Sequence, residues 1–111
     1  MNIPWENVAT NNLIEAILAL KNNDEANKFL RDLLTETEIL EFSKRWQTAK
    51  MLSEKVPYSK IEKETGLSST TIARISKWLN NGMGGYKLML NRLKKHHHHP
   101  HHSSFPEKGL S

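Results

Sequence analysis

The chain has 111 residues, with 16 Lys and Arg against 12 Asp and Glu, six His and no Cys. That length suits one domain with a small core, and the lack of cysteine excludes a disulfide framework and a thiolate metal site. No stretch approaches 18 apolar residues, and the first ten residues lack a basic region followed by an apolar run. Neither a membrane span nor a signal peptide is therefore expected, and a cytoplasmic protein is.

Charge is unevenly distributed. From Met1 to Ser43 there are three basic residues (Lys21, Lys28, Arg31) and eight acidic ones, a net of −5. From Lys44 to Lys95 there are twelve basic and three acidic residues (Glu54, Glu62, Glu64), a net of +9. One half is suited to packing or pairing, the other to a polyanion.

In chain order, Leu13, Ile14, Ile17 and Leu18 recur at the spacing of one helix face. Lys21-Asn22-Asn23-Asp24 breaks that helix, and Asn23 or Asp24 is a suitable cap for a second helix with Phe29, Leu30, Leu33 and Leu34 on its inner face. Thr35 with Glu38 three residues later has the form of a capping box, in which each side chain satisfies the other residue's backbone donor. The third helix starts there, carries Ile39, Phe42, Trp46, Ala49 and Leu52, and stops near Lys55 before Val56-Pro57. No segment alternates with period two, so no strands are expected. The apolar faces of the first two helices exceed what hairpins so short can bury alone, and a second copy of the chain is the expected cover.

Residues 58–79, YSKIEKETGLSSTTIARISKWL, are the most informative. A short helix over 58–65 meets Gly66, suited to a left-handed terminus, and Ser68 can cap the next helix, over 69–80. Ile61, Leu67, Ile72 and Ile75 would anchor the pair and leave Ser69, Thr70, Ala73, Arg74 and Lys77 on the free face. Short side chains at a helix start let it enter the major groove, where Ser and Thr reach base edges or phosphates and Arg and Lys add salt-sensitive attraction. The candidate DNA-binding residues are Ser59, Lys60, Ser68, Ser69, Thr70, Thr71, Ala73, Arg74 and Lys77.

Residues 33–52 (LLTETEILEFSKRWQTAKML) and 58–79 together resemble the Trp repressor superfamily, most nearly its YerC/YecD-type members. The resemblance implies an all-α, six-helix subunit with a helix-turn-helix, an intertwined homodimer, and transcriptional regulation at a palindromic double-stranded DNA operator. It also implies a corepressor pocket. The residues matching its ligand positions are Thr35, Arg45 and Arg74, but Trp78 stands where the family's Ser would hold the ligand amino group. An indole N–H donates and cannot accept from an ammonium group, so tryptophan is not the expected corepressor.

Beyond the second head helix, Gly82-Met83-Gly84-Gly85 reads as a linker, since no Lys-Ser/Thr follows it as a phosphate loop requires. Residues 86–93 suit a last helix with Leu90 and Leu93 inward. Residues 1–95 are read as one domain, with the helix-turn-helix at about 58–80. Residues 96–111, which hold all six His, are read as a disordered tail able to hold nickel or zinc loosely. With no Cys and no His in the folded part, no catalytic set, cofactor or built metal centre is expected. The alternative to a DNA-binding regulator is a helical interaction module whose 58–79 surface binds an acidic partner.

Overall fold

The computed structural model describes residues 7–97. Trp5 and the part of the His-rich tail from 98 onward, for which disorder is expected, lie outside the described residues. Six helices follow in order: α1 Val8–Ala19, α2 Asn23–Leu33, α3 Glu36–Ser53, α4 Tyr58–Thr65, α5 Ser69–Asn81 and α6 Gly85–His97. There is no strand among the described residues. By internal packing the chain divides into two units, Met1–Glu41 and Phe42–Ser111.

In the first unit each helix start is closed by a side chain. Asn7 caps α1, its Oδ1 accepting from the Ala9 N–H at 2.7 Å. The α2 cap is Asn22, which accepts from Glu25 N–H at 2.9 Å, rather than Asn23 or Asp24. Those two fall in the first turn instead, where Asp24 favours the helix dipole and pairs with Lys28 at 3.1 Å. Glu25 also reaches back to accept from the Lys21 N–H at 2.9 Å. The capping box opening α3 forms as expected. Thr35 N–H donates to Glu38 Oε1 at 2.9 Å, and Glu38 N–H donates to Thr35 Oγ1 at 3.1 Å. Neither α1 nor α2 contains a fully buried residue. Leu13, Ile14, Ile17, Leu30 and Leu33 are all exposed, and Leu18 is 77% exposed.

The core lies in the second unit. Ala49 and Met51 from α3, Ile61 from α4, Leu67 from the turn, and Ile72 and Ile75 from α5 form one cluster, with Leu52, Val56 and Tyr86 packed on it. All four anchors read from the sequence are buried there. The apolar stripe read along α3 is only partly inward. Ala49 is buried, Ile39, Trp46 and Leu52 are half-buried, and Phe42 is exposed, with Arg45 Cζ 5.9 Å from its ring centroid. Helix α3 ends two residues earlier than expected, in a left-handed turn. Val56 N–H donates to Met51 O and Lys55 N–H to Leu52 O, each at 3.0 Å, with Lys55 at φ 65°. This is a Schellman closure, with Met51 in the core cluster and half-buried Val56 packed against that cluster.

Helix α6 starts at Gly85 and runs to His97, longer at both ends than the sequence suggests. Tyr86 holds it to α3 by stacking on Trp46, with centroids 6.3 Å apart and planes 25° from parallel. Leu90 is half-buried, as expected, but Leu93 is exposed. No helix among the described residues is long and apolar enough to cross a membrane.

Candidate nucleic-acid interface

Helices α4 and α5 occupy the boundaries read from the sequence, with α5 one residue longer. Their joint is built from three local devices. Gly66 ends α4 at φ 76°, a conformation open to glycine without steric cost, and its N–H donates to Glu62 O at 2.9 Å. Thr65 is buried with both bonding directions used: its hydroxyl donates to Ile61 O at 2.7 Å and accepts from Leu67 N–H at 3.1 Å. That hydroxyl ties the end of α4 to the turn, and the sequence reading missed it. Ser68 caps α5, its Oγ accepting from Thr71 N–H at 3.2 Å and lying 3.1 Å from Thr71 Oγ1.

These contacts sort the candidate residues. Ser68 and Thr71 bond to each other and serve the cap. Thr71 is half-buried, whereas Ser69, Thr70, Ala73, Arg74 and Lys77 are exposed along one side of α5. The opposite side carries Ile72, Ile75 and Leu79, all buried. A helix with three aliphatic side chains sunk in the core cannot roll, so the direction of its polar face is fixed. Ser59 and Lys60 lie exposed in the first turn of α4, whose cap, Pro57, makes no side-chain bond to the helix. Lys60 Nζ lies 4.0 Å from Glu64 Oε2 with both side chains largely exposed, too weak a pair to immobilise it.

At its far end α5 closes on Gly82, whose N–H donates to Trp78 O at 2.9 Å. A Cβ at Gly82 would come within 2.5 Å of that same carbonyl, so the close approach requires glycine. The residues between Asn81 and Gly85 thus include a helix cap as well as a link.

The four residues matching corepressor positions fall in both units. Thr35, in the first unit, has its side chain engaged in the α3 cap. Arg45 sits over Phe42, Arg74 is exposed on α5, and Trp78 is 43% exposed. Two open clefts of about 340 and 600 Å³ border α3 and α6, the smaller also reaching α5, and neither is lined by Arg45, Arg74 or Trp78.

Comparison with known proteins matches the same arrangement. The family model described as Trp repressor protein matches residues 9–94. The uncharacterized protein YerC of Bacillus subtilis (strain 168) is 42% identical over 83 residues, which cover 75% of this chain and 80% of YerC. The crystal structure of a TrpR-like protein from Eubacterium eligens superposes with a TM-score of 0.79 at 42% identity, covering 84% of this chain and 96% of that one. A Trp repressor candidate from Staphylococcus aureus gives a TM-score of 0.76 at 36% identity over the same shares. The resemblance read from residues 33–52 and 58–79 is thus matched across nearly all the described residues, and the chain belongs to the Trp repressor family.

Proposed function

We propose that the chain is a transcriptional regulator, acting as a repressor, that reads double-stranded DNA through α4 and α5 as an intertwined homodimer on a palindromic operator. Residues 1–95 act as its DNA-binding domain, in the cytoplasm and without catalysis. The observation that carries this reading is the exposed Ser69, Thr70, Ala73, Arg74 and Lys77 face of α5, held outward by buried Ile72, Ile75 and Leu79. Ser69 and Thr70 read base edges, Arg74 and Lys77 attract phosphates, and Ser59 and Lys60 fix register from the start of α4. Membership of a family of regulators supports the assignment. Ala73 contributes by its small size, which lets the backbone of α5 approach the groove floor.

Tryptophan is not the corepressor in this reading. Trp78 replaces the acceptor such a ligand needs, and its indole packs over the former ligand position in the dimer. The half-exposed indole of the single chain leaves surface for that contact.

Selection of bound sequences from random duplex DNA, with no tryptophan added, tests the proposal. A palindromic consensus should emerge, bound with an affinity that falls steeply with salt and is unchanged by L-tryptophan. Recovery of unrelated sequences, with acidic polypeptides competing as well as DNA, would favour an interaction module. A rise in operator affinity on adding L-tryptophan would overturn the corepressor argument alone.

A further inference from the structure

The smaller of the two clefts beside α6 has no part in the DNA reading. Its volume is about 340 Å³, at the lower end of the roughly 300–1,000 Å³ usual for small-molecule sites. It lies between the end of α3, the far half of α5 and the middle of α6, and none of the candidate DNA-contacting residues lines it. We propose that this cleft binds a small organic phosphate monoester, its phosphate drawn to Lys55 and Lys87 and its apolar body laid on Leu52, Leu79 and Leu90.

Charge is the first argument. Lys55 and Lys87 both line the cleft, and no Asp or Glu does. Neither ammonium group forms an ion pair among the described residues, so both are left for a ligand. A phosphate monoester carries a charge of about −1.5 to −2 near neutral pH, which two lysines balance. Ser76, Asn80 and Asn91 add neutral donors around the same space. The Asn80 amide is already oriented, its Nδ2 donating to Ser76 O at 2.9 Å. Leu52, Leu79 and Leu90 supply the apolar part, Leu79 buried and the other two half-buried. A bare inorganic ion would leave that surface uncovered.

Backbone conformation is the second argument. Lys55 stands at φ 65°, where glycine sits without steric cost and an L side chain does not. It is the one non-glycine residue at positive φ among the described residues. A strained position of this kind points to a role for the side chain it carries, and this side chain is a cation at the cleft. The site shares α5 with the reading face but no residue with it, and so stands or falls separately from the DNA reading.

Calorimetric titration of the full chain with phenyl phosphate tests the site, beside inorganic phosphate, which lacks the apolar body, and phenol, which lacks the charge. Phenyl phosphate should bind about tenfold more tightly than either. Lys55→Gly relieves the backbone strain and is expected to fold at least as well as the unaltered chain, yet it should weaken phenyl phosphate about tenfold. Lys87→Gln, at an exposed position on α6, should do the same. Lys63→Gln, on α4 and outside the cleft, should leave the affinity unchanged. Circular dichroism checks that each variant keeps its fold. No binding of phenyl phosphate, equally tight binding of inorganic phosphate, or equal losses from all three lysine changes would overturn the proposal. The first outcome would fit a cleft covered by a second copy of the chain, and the other two a diffuse basic surface for DNA.

Discussion

Lys55 occupies a position that suits glycine. At φ 65° it closes the Schellman turn after α3, where an L side chain costs about 1–2 kcal/mol relative to glycine. Lys55→Gly should therefore stabilise the chain by roughly 0.5–1 kcal/mol, after allowing for the greater freedom glycine gives the unfolded state. A rise in the urea midpoint at unchanged m-value checks this. Thr65 predicts the opposite sign. Thr65→Val keeps the shape and removes the hydroxyl that accepts from Leu67 N–H, stranding a donor at a buried turn. A loss of about 1–3 kcal/mol is expected in the same denaturation measurement. Neither position was legible in the sequence, because lysine carries no signal for a left-handed conformation and threonine at a helix end reads equally as a solvated residue. Gly66, Ser68 and the Thr35–Glu38 box were legible because each is a local device whose partner lies within four residues. At α2 the sequence reading placed the cap at Asn23 or Asp24, and the backbone geometry places it one residue earlier, at Asn22.

For α5 as an element, the question is how its two sides divide the work. The buried side was readable from the spacing of Ile72 and Ile75, and the exposed side followed by subtraction. Which exposed residues read sequence is a finer matter, on which the cap helps by committing Ser68 and Thr71 to each other. Ser69→Leu should abolish or change sequence preference while helicity stays the same, because a bulky side chain at the second head helix's start alters the fit to base edges. Lys77→Ala should lower affinity for all duplexes alike and flatten the dependence of log affinity on log salt by about one unit. Binding isotherms on selected and scrambled duplexes at several salt concentrations distinguish the two, and equal effects on all duplexes from both changes would overturn this division of roles. The limits of α6 were less legible. Glycine at its start argues against a helix, and Lys94, Lys95 and the histidines past Leu93 show no apolar period, so only the stretch from Tyr86 to Leu93 carried the pattern.

For the whole molecule, the apolar side chains left uncovered dominate. Leu13, Ile14, Ile17 and Leu18 on α1 and Leu30 and Leu33 on α2 are all exposed in the single chain. Full burial of such a side chain contributes roughly 1.5–3 kcal/mol, so covering even part of this set would offset a substantial cost of association. The chain is expected to sediment as a dimer at micromolar concentration, and a single species near 12.8 kDa throughout that range would contradict it. The charge division suits the same outcome, since the acidic residues up to Ser43 leave the basic remainder available to a polyanion. The excess of apolar residues over what one chain can cover was visible in the sequence. Which surfaces meet was not, because pairing between copies leaves no periodic mark of its own.

The stack of Trp46 on Tyr86 has an optical consequence. At 6.3 Å between centroids, excitation absorbed by the phenol passes readily to the indole, so Tyr86 emits weakly and Trp46 brightens while α6 lies against α3. Trp78, 43% exposed, meets water and emits at longer wavelength than a sheltered indole would. The two tryptophans thus report on different places, one on the seating of the last helix and the other on whatever comes to lie over α5. With Trp5 replaced by phenylalanine, replacing either of these two as well separates their signals, giving a label-free view of the reading head and its support within one molecule.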